Sequence, residues 1–304
     1  MSKIIVTGGA GFIGSHITDR LVKDGHSVVI LDNLSSGKKN QINKKAKFIN
    51  ADIKNLNEIK KYFKGAEYVF HLAAQSRLQP SIIDPAVTFH DNINGTLNVL
   101  IAARDMGVRR VIFSASSSVY GDQKTFPLKE DALIQGYKTP YGLTKHTGEH
   151  MCRLFSGLYG LETVSLRYFN VYGPRQVTEG AYATVIGIFL RQLENNEPIT
   201  IVSPGTIRRD FTHVSDIVNA NICAMKSKKV GKGEVVNIGT GRNYSINEVA
   251  SLILSKVKPQ GKKVYIPKRL GEAKISLADN KKAWQLLGWK PKVSFDEGIS
   301  MLTK

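Results

Sequence analysis

Tyr141 and Lys145 stand four residues apart in the run Tyr141-Gly142-Leu143-Thr144-Lys145. On a helix that spacing puts both side chains on one face. An ammonium beside a phenol favours the phenolate, so the pair is a candidate acid–base group for chemistry near neutral pH. Alone, the spacing arises often by chance. The next five residues, His146-Thr147-Gly148-Glu149-His150, have the form of an inverted zinc-protease motif. Two histidines four apart on a helix could share a zinc ion. No third ligand is apparent, and the motif directly follows Lys145, so it reads as a surface or interface feature and no metal is expected. Cys152, further along, reads as a packing residue. With Cys223 it completes the cysteine complement. Two cysteines exclude a disulfide framework and a cysteine-based zinc site, and fit a reducing compartment.

A second set of residues points to a phosphate ligand. Thr7-Gly8-Gly9-Ala10-Gly11-Phe12-Ile13-Gly14 follows an apolar run and opens a helical pattern. Gly8, Gly11 and Gly14 recur at every third position. A tight turn needs a residue that tolerates positive φ, and a pyrophosphate needs a backbone with no Cβ in its way. The following helix offers unpaired N–H groups and the positive end of its dipole. Asp32 closes the next predicted strand. An acid there accepts from the ribose hydroxyls of an adenosine and repels a 2′-phosphate. Strand, glycine turn, helix and acid together predict a dinucleotide site for NAD rather than NADP.

These residues need a scaffold. Apolar runs predict strands at 3–6, 27–31, 46–51, 68–72, 111–114 and 163–168, with helical patterns at 12–23, 57–63, 94–105 and 141–159. Strands spaced by helices imply an α/β fold with a doubly wound parallel Rossmann sheet. Beyond residue 170 the pattern loosens; 235–238 reads as a further strand, and 246–257 and 281–287 as helices. A Rossmann domain is expected from 1–170 and 210–238, with a smaller C-terminal substrate-binding lobe from 171–209 and 239–304. The lobe should be packed on rather than tethered, because no repeat or low-complexity linker separates the two. The 304 residues, 42% of them hydrophobic, suffice for a sizeable core. No apolar run approaches the ~18 residues of a membrane span. The stretch from Met1 turns glycine-rich at once, without the apolar region of a signal peptide. A cytoplasmic protein with no membrane partner is expected. The net charge of +18 is scattered in pairs such as Lys38-Lys39 and Lys228-Lys229. No block of like charge marks a nucleic-acid tail. The charge reads as a solvated basic surface that helps draw in an anionic substrate, with no nucleic-acid partner.

Taken in order, the motifs make the chain resemble the nucleotide-sugar 4-epimerases of the extended short-chain dehydrogenase/reductase superfamily, the UDP-galactose 4-epimerase family. The resemblance spans nearly the whole chain. It rests on residues 7–14, Asp52-Ile53, His71-Leu72-Ala73-Ala74, Asn92-Ile93-Asn94-Gly95-Thr96, Ser116-Ser117-Ser118-Val119-Tyr120-Gly121, residues 141–145, Arg167-Tyr168-Phe169-Asn170-Val171-Tyr172-Gly173-Pro174, Arg209-Asp210-Phe211 and the 269–276 region. It implies a role for each position. Phe12 and Ile13 place backbone on the pyrophosphate, and Asp52 and Ile53 hold the adenine. Asn33, Ser35, Ser36 and Gly37 belong to the same cofactor site. Leu72, Ala73 and Ala74 line the cofactor cleft, with Asn92 nearby. Ser116 is the catalytic serine, Tyr141 the base, and Lys145 its partner on the nicotinamide ribose. Tyr168 and Phe169 border the nicotinamide. Asn170 meets the diphosphate of a UDP-sugar, and Arg209 and Arg269 clamp it, a task suited to guanidinium forks.

The resemblance also narrows the reaction. Related 4,6-dehydratases carry an Asp-Glu pair after the catalytic Ser/Thr, and related decarboxylases a Glu two residues after it. Here those positions are Ser117 and Ser118, and neither is a carboxylate. The expected reaction is 4-epimerisation of a UDP-hexose through a transient 4-keto sugar. A uronic-acid 4-epimerase stays open, since it can carry a similar serine-rich motif. A non-catalytic NAD-sensing or RNA-binding protein is the reading from another class; the intact Ser116, Tyr141 and Lys145 speak against it. In the resembling family the position seven after the second clamping arginine gates the space beside the sugar's 2-position. That position is Ser276, and Ser76 is small as well, so UDP-GlcNAc and UDP-GalNAc are expected beside UDP-glucose and UDP-galactose. The segment Val202-Ser203-Pro204-Gly205 departs from the family's usual turn near the nucleotide base. Helices 94–105 and 141–159 match those that relatives pair into a four-helix bundle, which implies a homodimer with His146 and His150 near the seam. His71, His213 and the turn Gly239-Thr240-Gly241, which lacks the lysine of a phosphate loop, read as structural.

Overall fold

Ile4, Ile5, Val6, Val69 and Phe70 are all without exposure. Strands apolar at successive positions must be covered on both faces, and that is the environment of a parallel sheet flanked by helices. The computed structural model describes residues 1–76, 78–134, 136–180, 183–267 and 273–303. Its strands begin with β1 (Lys3–Thr7), β2 (Ser27–Asp32), β3 (Lys47–Asn50), β4 (Tyr68–His71), β5 (Arg110–Ser116) and β6 (Glu162–Tyr168). Four further strands follow, β7 (Val171–Tyr172), β8 (Ile199–Val202), β9 (Arg208–Arg209) and β10 (Thr212–His213). The chain then returns as β11 (Lys232–Ile238), before β12 (Tyr244–Ser245) and β13 (Lys263–Ile266). Seven strands join in the order β11-β6-β5-β4-β1-β2-β3, every pair parallel. From β1 the chain winds outward to β3, then crosses back to β4 and winds the other way. The reversal lies between β1 and β4, where Thr7 pairs with His71 at the carboxyl ends. Such a switch point opens a crevice for ligands. The doubly wound α/β sheet expected from the sequence is the one that forms.

The α-helices are α1 (Phe12–Lys23), α2 (Leu56–Phe63), α3 (Leu78–Ile83), α4 (Pro85–Phe89), α5 (Gly95–Asp105), α6 (Pro140–Tyr159), α7 (Val185–Glu194), α8 (Val214–Lys226), α9 (Ile246–Val257), α10 (Lys281–Leu287) and α11 (Phe295–Leu302). Ile17 and Leu21 of α1, Ile217 and Ile222 of α8, Ala283 of α10 and Trp289 form the core on one face of the sheet. Ile59 and Phe63 of α2, Val99 and Leu100 of α5, and Cys152 and Phe155 of α6 form it on the other. A third core joins Ile186 and Phe189, Ile199 and Ile201, Val249 and Ile253, and Phe295 and Ile299, outside the sheet. Helices α7, α8 and α11 occupy stretches whose sequence pattern had looked irregular. Helix α10 and Trp289, in the segment assigned to the lobe, pack against the sheet. Among the described residues no helix is long and apolar enough to cross a membrane.

Candidate active site

A cavity of about 510 Å³ opens along the carboxyl ends of the strands. At one end lies the glycine turn. Gly8 adopts φ +71°, and a Cβ on Gly14 would collide with the Gly8 carbonyl, so the turn and the first turn of α1 close on each other only with glycine at these positions. The α1 N-cap, Gly11, supplies no side-chain hydrogen bond, and the first turn holds no acid. Its N–H groups are left for an anion. Gly8, Gly11, Phe12, Ile13 and Gly14 all line the cavity. Asp32, at the end of β2, is buried; its Oδ2 accepts from Ala10 N–H at 2.9 Å and its Oδ1 from Leu34 N–H at 2.8 Å. Burial pushes its carboxyl above the usual range, against the pull of those two bonds. Asn33, Ser35, Ser36, Asp52 and Ile53 continue the wall, and Leu72, Ala73 and Ala74 form the opposite side. An uncapped helix end, a glycine turn and an acid at the ribose position suit a dinucleotide, and these are the residues that would hold it.

Two of the expected cofactor residues stand elsewhere. Gly37 does not line the cavity; it lies behind Asp32, where a Cβ would come within 2.8 Å of Ala10 and 3.0 Å of Asp32 Oδ1. Asn92 is buried, and its amide is fully engaged. Its Oδ1 accepts from Gln75 N–H at 2.7 Å, and its Nδ2 donates to the Gln75 carbonyl at 3.1 Å and Thr144 Oγ1 at 2.9 Å. It therefore staples the loop after β4 to α6, and its neighbour Asp91 reaches the cavity instead. The π-helical turn His90–Asn94 between α4 and α5 sets this inward placement.

Helix α6 carries the acid–base pair. Thr139 caps it by accepting from Gly142 N–H at 3.2 Å, and Pro140 follows at the first helical position. Gly148 lets the helix approach β5, since a Cβ there would meet the Phe113 ring at 2.5 Å. Lys145 is buried, donates from Nζ to the Ser114 carbonyl at 2.7 Å, and lies 5.9 Å from the Tyr141 ring centroid. Burial lowers its pKa to about 8. Tyr141, Lys145 and Ser116 all line the cavity. Ser116 Oγ accepts from Ser118 N–H at 3.2 Å and from Ser118 Oγ at 2.9 Å, which leaves its own proton to donate. Tyr168 presents its ring to the cavity while its hydroxyl donates to Asn221 Oδ1 at 2.9 Å, and burial raises its pKa. Phe169, expected beside it, is absent from the wall. Its side chain packs with Val119, Tyr120, Leu128 and Ala278, and Tyr120 and Leu128 of that cluster reach the cavity in its place.

At the far end Ser76, Asn170, Arg209 and Ser276 line the same cavity. Asn170 holds φ +23° and donates from Nδ2 to the Asp210 carbonyl at 3.1 Å and to Ser276 Oγ at 3.0 Å. Arg269 lies outside the described residues. Sequence reasoning missed Lys138, Thr139, Val177, Ala273 and Ile275, which also line the cavity. The Thr139-Pro140 helix-start signature was the one readable signal among them.

The remaining candidates have structural partners. His71 bridges Thr7 Oγ1 at 2.8 Å and Thr96 Oγ1 at 3.0 Å, and burial, with the charge of Lys145, lowers its pKa to about 3. His213 caps α8 through Ser215. In the zinc-like motif Glu149 is taken by a buried two-point ion pair with Arg167, at 2.8 and 2.7 Å. His146 Nδ1 lies 2.6 Å from the Tyr137 hydroxyl. Among the described residues no three His, Cys, Asp or Glu side chains gather as a metal site. Burial pushes the Cys152 thiol up to about 12, so it stays protonated and packs.

The chain is similar to known proteins over nearly its whole length. The family described as "NAD dependent epimerase/dehydratase family" matches residues 4–239. The UDP-glucose 4-epimerase of Thermotoga maritima, solved with UDP-glucose, is 40% identical over 98% of this chain and 96% of its own, with a TM-score of 0.95. The UDP-N-acetylglucosamine 4-epimerase of Methanobrevibacter ruminantium, solved with UDP-N-acetylmuramic acid, is 35% identical over 99% and 98%, with a TM-score of 0.93. A UDP-glucuronate 4-epimerase of Thermodesulfobacterium geofontis is 33% identical over 98% of this chain and 94% of the relative. The relatives share a reaction and differ in the sugar.

Proposed function

The chain belongs to the NAD dependent epimerase/dehydratase family, as a nucleotide-sugar 4-epimerase, and we propose that it interconverts UDP-glucose with UDP-galactose and UDP-GlcNAc with UDP-GalNAc. One observation carries this reading. Ser116, Tyr141 and Lys145 line the same cavity as the uncapped end of α1 on one side and Asn170 and Arg209 on the other. NAD, when bound, supplies a two-electron acceptor that takes the sugar's C4 hydrogen as hydride and later returns it. The protein's own part is proton handling and holding. Tyr141, as phenolate, accepts the proton of the 4-hydroxyl, directly or through Ser116. The Lys145 ammonium stabilises the phenolate by charge. Asn170 and Arg209 anchor the diphosphate while the 4-keto sugar turns over within the cleft. Tyr141 then gives the proton back to the oxygen on the other face. We assign the cofactor to the Rossmann segments 1–170 and 210–238 and the sugar nucleotide to 171–209 and 239–304, with Ser76, Ser116 and Asn170 reaching the substrate from the Rossmann side.

Replacing Tyr141 by phenylalanine tests the mechanism. Turnover on UDP-galactose and UDP-GalNAc should fall by about 10²–10⁴-fold, the usual worth of a positioned acid–base group, while NAD binding and the melting temperature hold. Near-normal turnover would rule out Tyr141 as the base. A protein that converts UDP-glucuronate and neither of the other pairs would overturn the substrate assignment.

A further inference from the structure

The turn Gly239-Thr240-Gly241 resembles a phosphate loop without its lysine, and the structure shows what anion fills it. The carboxylate of Asp210, a residue with no exposure, accepts four hydrogen bonds there. Its Oδ1 takes Thr240 N–H at 2.8 Å and Thr240 Oγ1 at 2.7 Å. Its Oδ2 takes Gly241 N–H at 2.9 Å and Ala278 N–H at 3.1 Å. A Cβ on Gly239 would lie 3.1 Å from that Oδ2 and 2.5 Å from Ala278 Cβ, so the cradle closes on the carboxylate only with glycine there. The backbone of the same residue is tied toward the cavity. Its N–H donates to Ser276 Oγ at 3.2 Å, and its carbonyl accepts from Asn170 Nδ2 at 3.1 Å. Arg209 precedes it directly, and Asn170, Arg209 and Ser276 all line the cavity.

We propose that Asp210 is a positioning residue for substrate: its carboxylate, seated in the 239–241 turn, sets Asn170, Arg209 and Ser276 in register for the nucleoside diphosphate. The inference rests on the reading of Asn170 and Arg209 as diphosphate ligands. A carboxylate is required rather than an amide. Both oxygens face only donors, so an amide nitrogen at either place would oppose two of them and leave a buried donor unpaired. The hydrogen bonds of Asp210 run to Asn170, Thr240, Gly241, Ser276 and Ala278, away from the glycine turn of α1, so its loss should act on substrate and leave the cofactor alone.

The test uses Thr240→Val, Thr240→Ser and Asp210→Asn in the full chain. UDP affinity is read by calorimetry, NAD affinity by fluorescence, and KM and kcat by turnover. Thr240→Val removes one bond to the carboxylate and should weaken UDP and raise KM by about tenfold, the scale of one hydrogen bond to a charged group. NAD affinity and kcat should stay unchanged, and Thr240→Ser, which keeps the hydroxyl, should restore UDP binding. Asp210→Asn should move UDP further in the same direction; if it does not fold, the Thr240 pair decides. Equal UDP affinity in the valine and serine variants overturns the proposal, as does a parallel loss of NAD and UDP. A wild-type protein that binds no UDP removes the reading beneath it and the proposal with it.

Discussion

Lys145 is the residue whose environment asks most of it. Its ammonium is buried, with the Ser114 carbonyl as an acceptor at 2.7 Å. Burial brings its pKa from 10.5 to about 8, so it still carries charge at neutral pH. Its titration has a defined sign. Below pH 8 the folded and unfolded chains both hold the proton, and the contribution to stability is flat. Between about 8 and 10.5 only the unfolded chain holds it, so stability from this group rises with pH across that window. Urea melts of wild type and Lys145→Met, compared from pH 7 to 10.5, should show that rise in wild type alone. Activity should move the other way. Discharging Lys145 removes the charge that favours the Tyr141 phenolate, so kcat/KM should fall on the alkaline side with an apparent pKa near 8. An unchanged stability difference across the window would show that Lys145 does not titrate there.

Strands buried on both faces were legible as short apolar runs, whereas a helix buried nearly all round was not. Helices α1, α5 and α6 carry a polar side and could be read from periodicity. Helix α8 could not: nine of its thirteen residues are buried, so no stripe stands out. Its two buried polar residues find distant partners: Asp216 accepts Lys292 N–H and Val293 N–H, and Asn221 accepts the Tyr168 hydroxyl. Such long-range partners leave no local signature. The site shows the same division. Local motifs pointed to the glycine turn, Asp32, Tyr141 and Lys145, and the family resemblance to Ser116; all of them line one cavity. Phe169 does not line the cavity and Asn92 stands just behind it, since a motif does not say which way a side chain points. Glycines within helices give an element-scale test of opposite signs. Gly157 of α6 has open space beside it, and Gly157→Ala should stabilise by roughly 0.4–1 kcal/mol. Gly14 of α1 has the same intrinsic preference, but its Cβ would strike the Gly8 carbonyl. Gly14→Ala should therefore destabilise and weaken NAD. Thermal melts and NAD titrations of the two variants check this, and a stabilised Gly14→Ala would contradict the close approach.

At the scale of the whole molecule, one cavity joins the sheet's crevice to a wall built from later segments. Helices α5 and α6 lie side by side with Leu97, Leu154 and Leu158 exposed at 38%, 54% and 65%. We propose that a homodimer covers them, and light scattering at micromolar concentration should give the dimer mass; a monomer contradicts it. The sugar pocket asks for a finer experiment. Ser276 is buried at the cavity wall, and its hydroxyl accepts from Asn170 Nδ2 and from Asp210 N–H. A tyrosine there changes two things at once: it fills the space proposed for an N-acetyl group, and it removes an acceptor that two donors share. Ser276→Ala removes only the acceptor. The alanine variant should lower turnover of UDP-galactose and UDP-GalNAc by similar factors, because Asn170 serves the diphosphate common to both. The tyrosine variant should lower UDP-GalNAc turnover by about tenfold or more beyond the alanine variant, since a close-packed pocket resists added volume at ~1–3 kcal/mol. The smaller hydroxyl sugar should show little of that excess. If the tyrosine and alanine variants depress both sugars in the same ratio, Ser276 acts through its hydroxyl alone and the pocket's selectivity lies elsewhere.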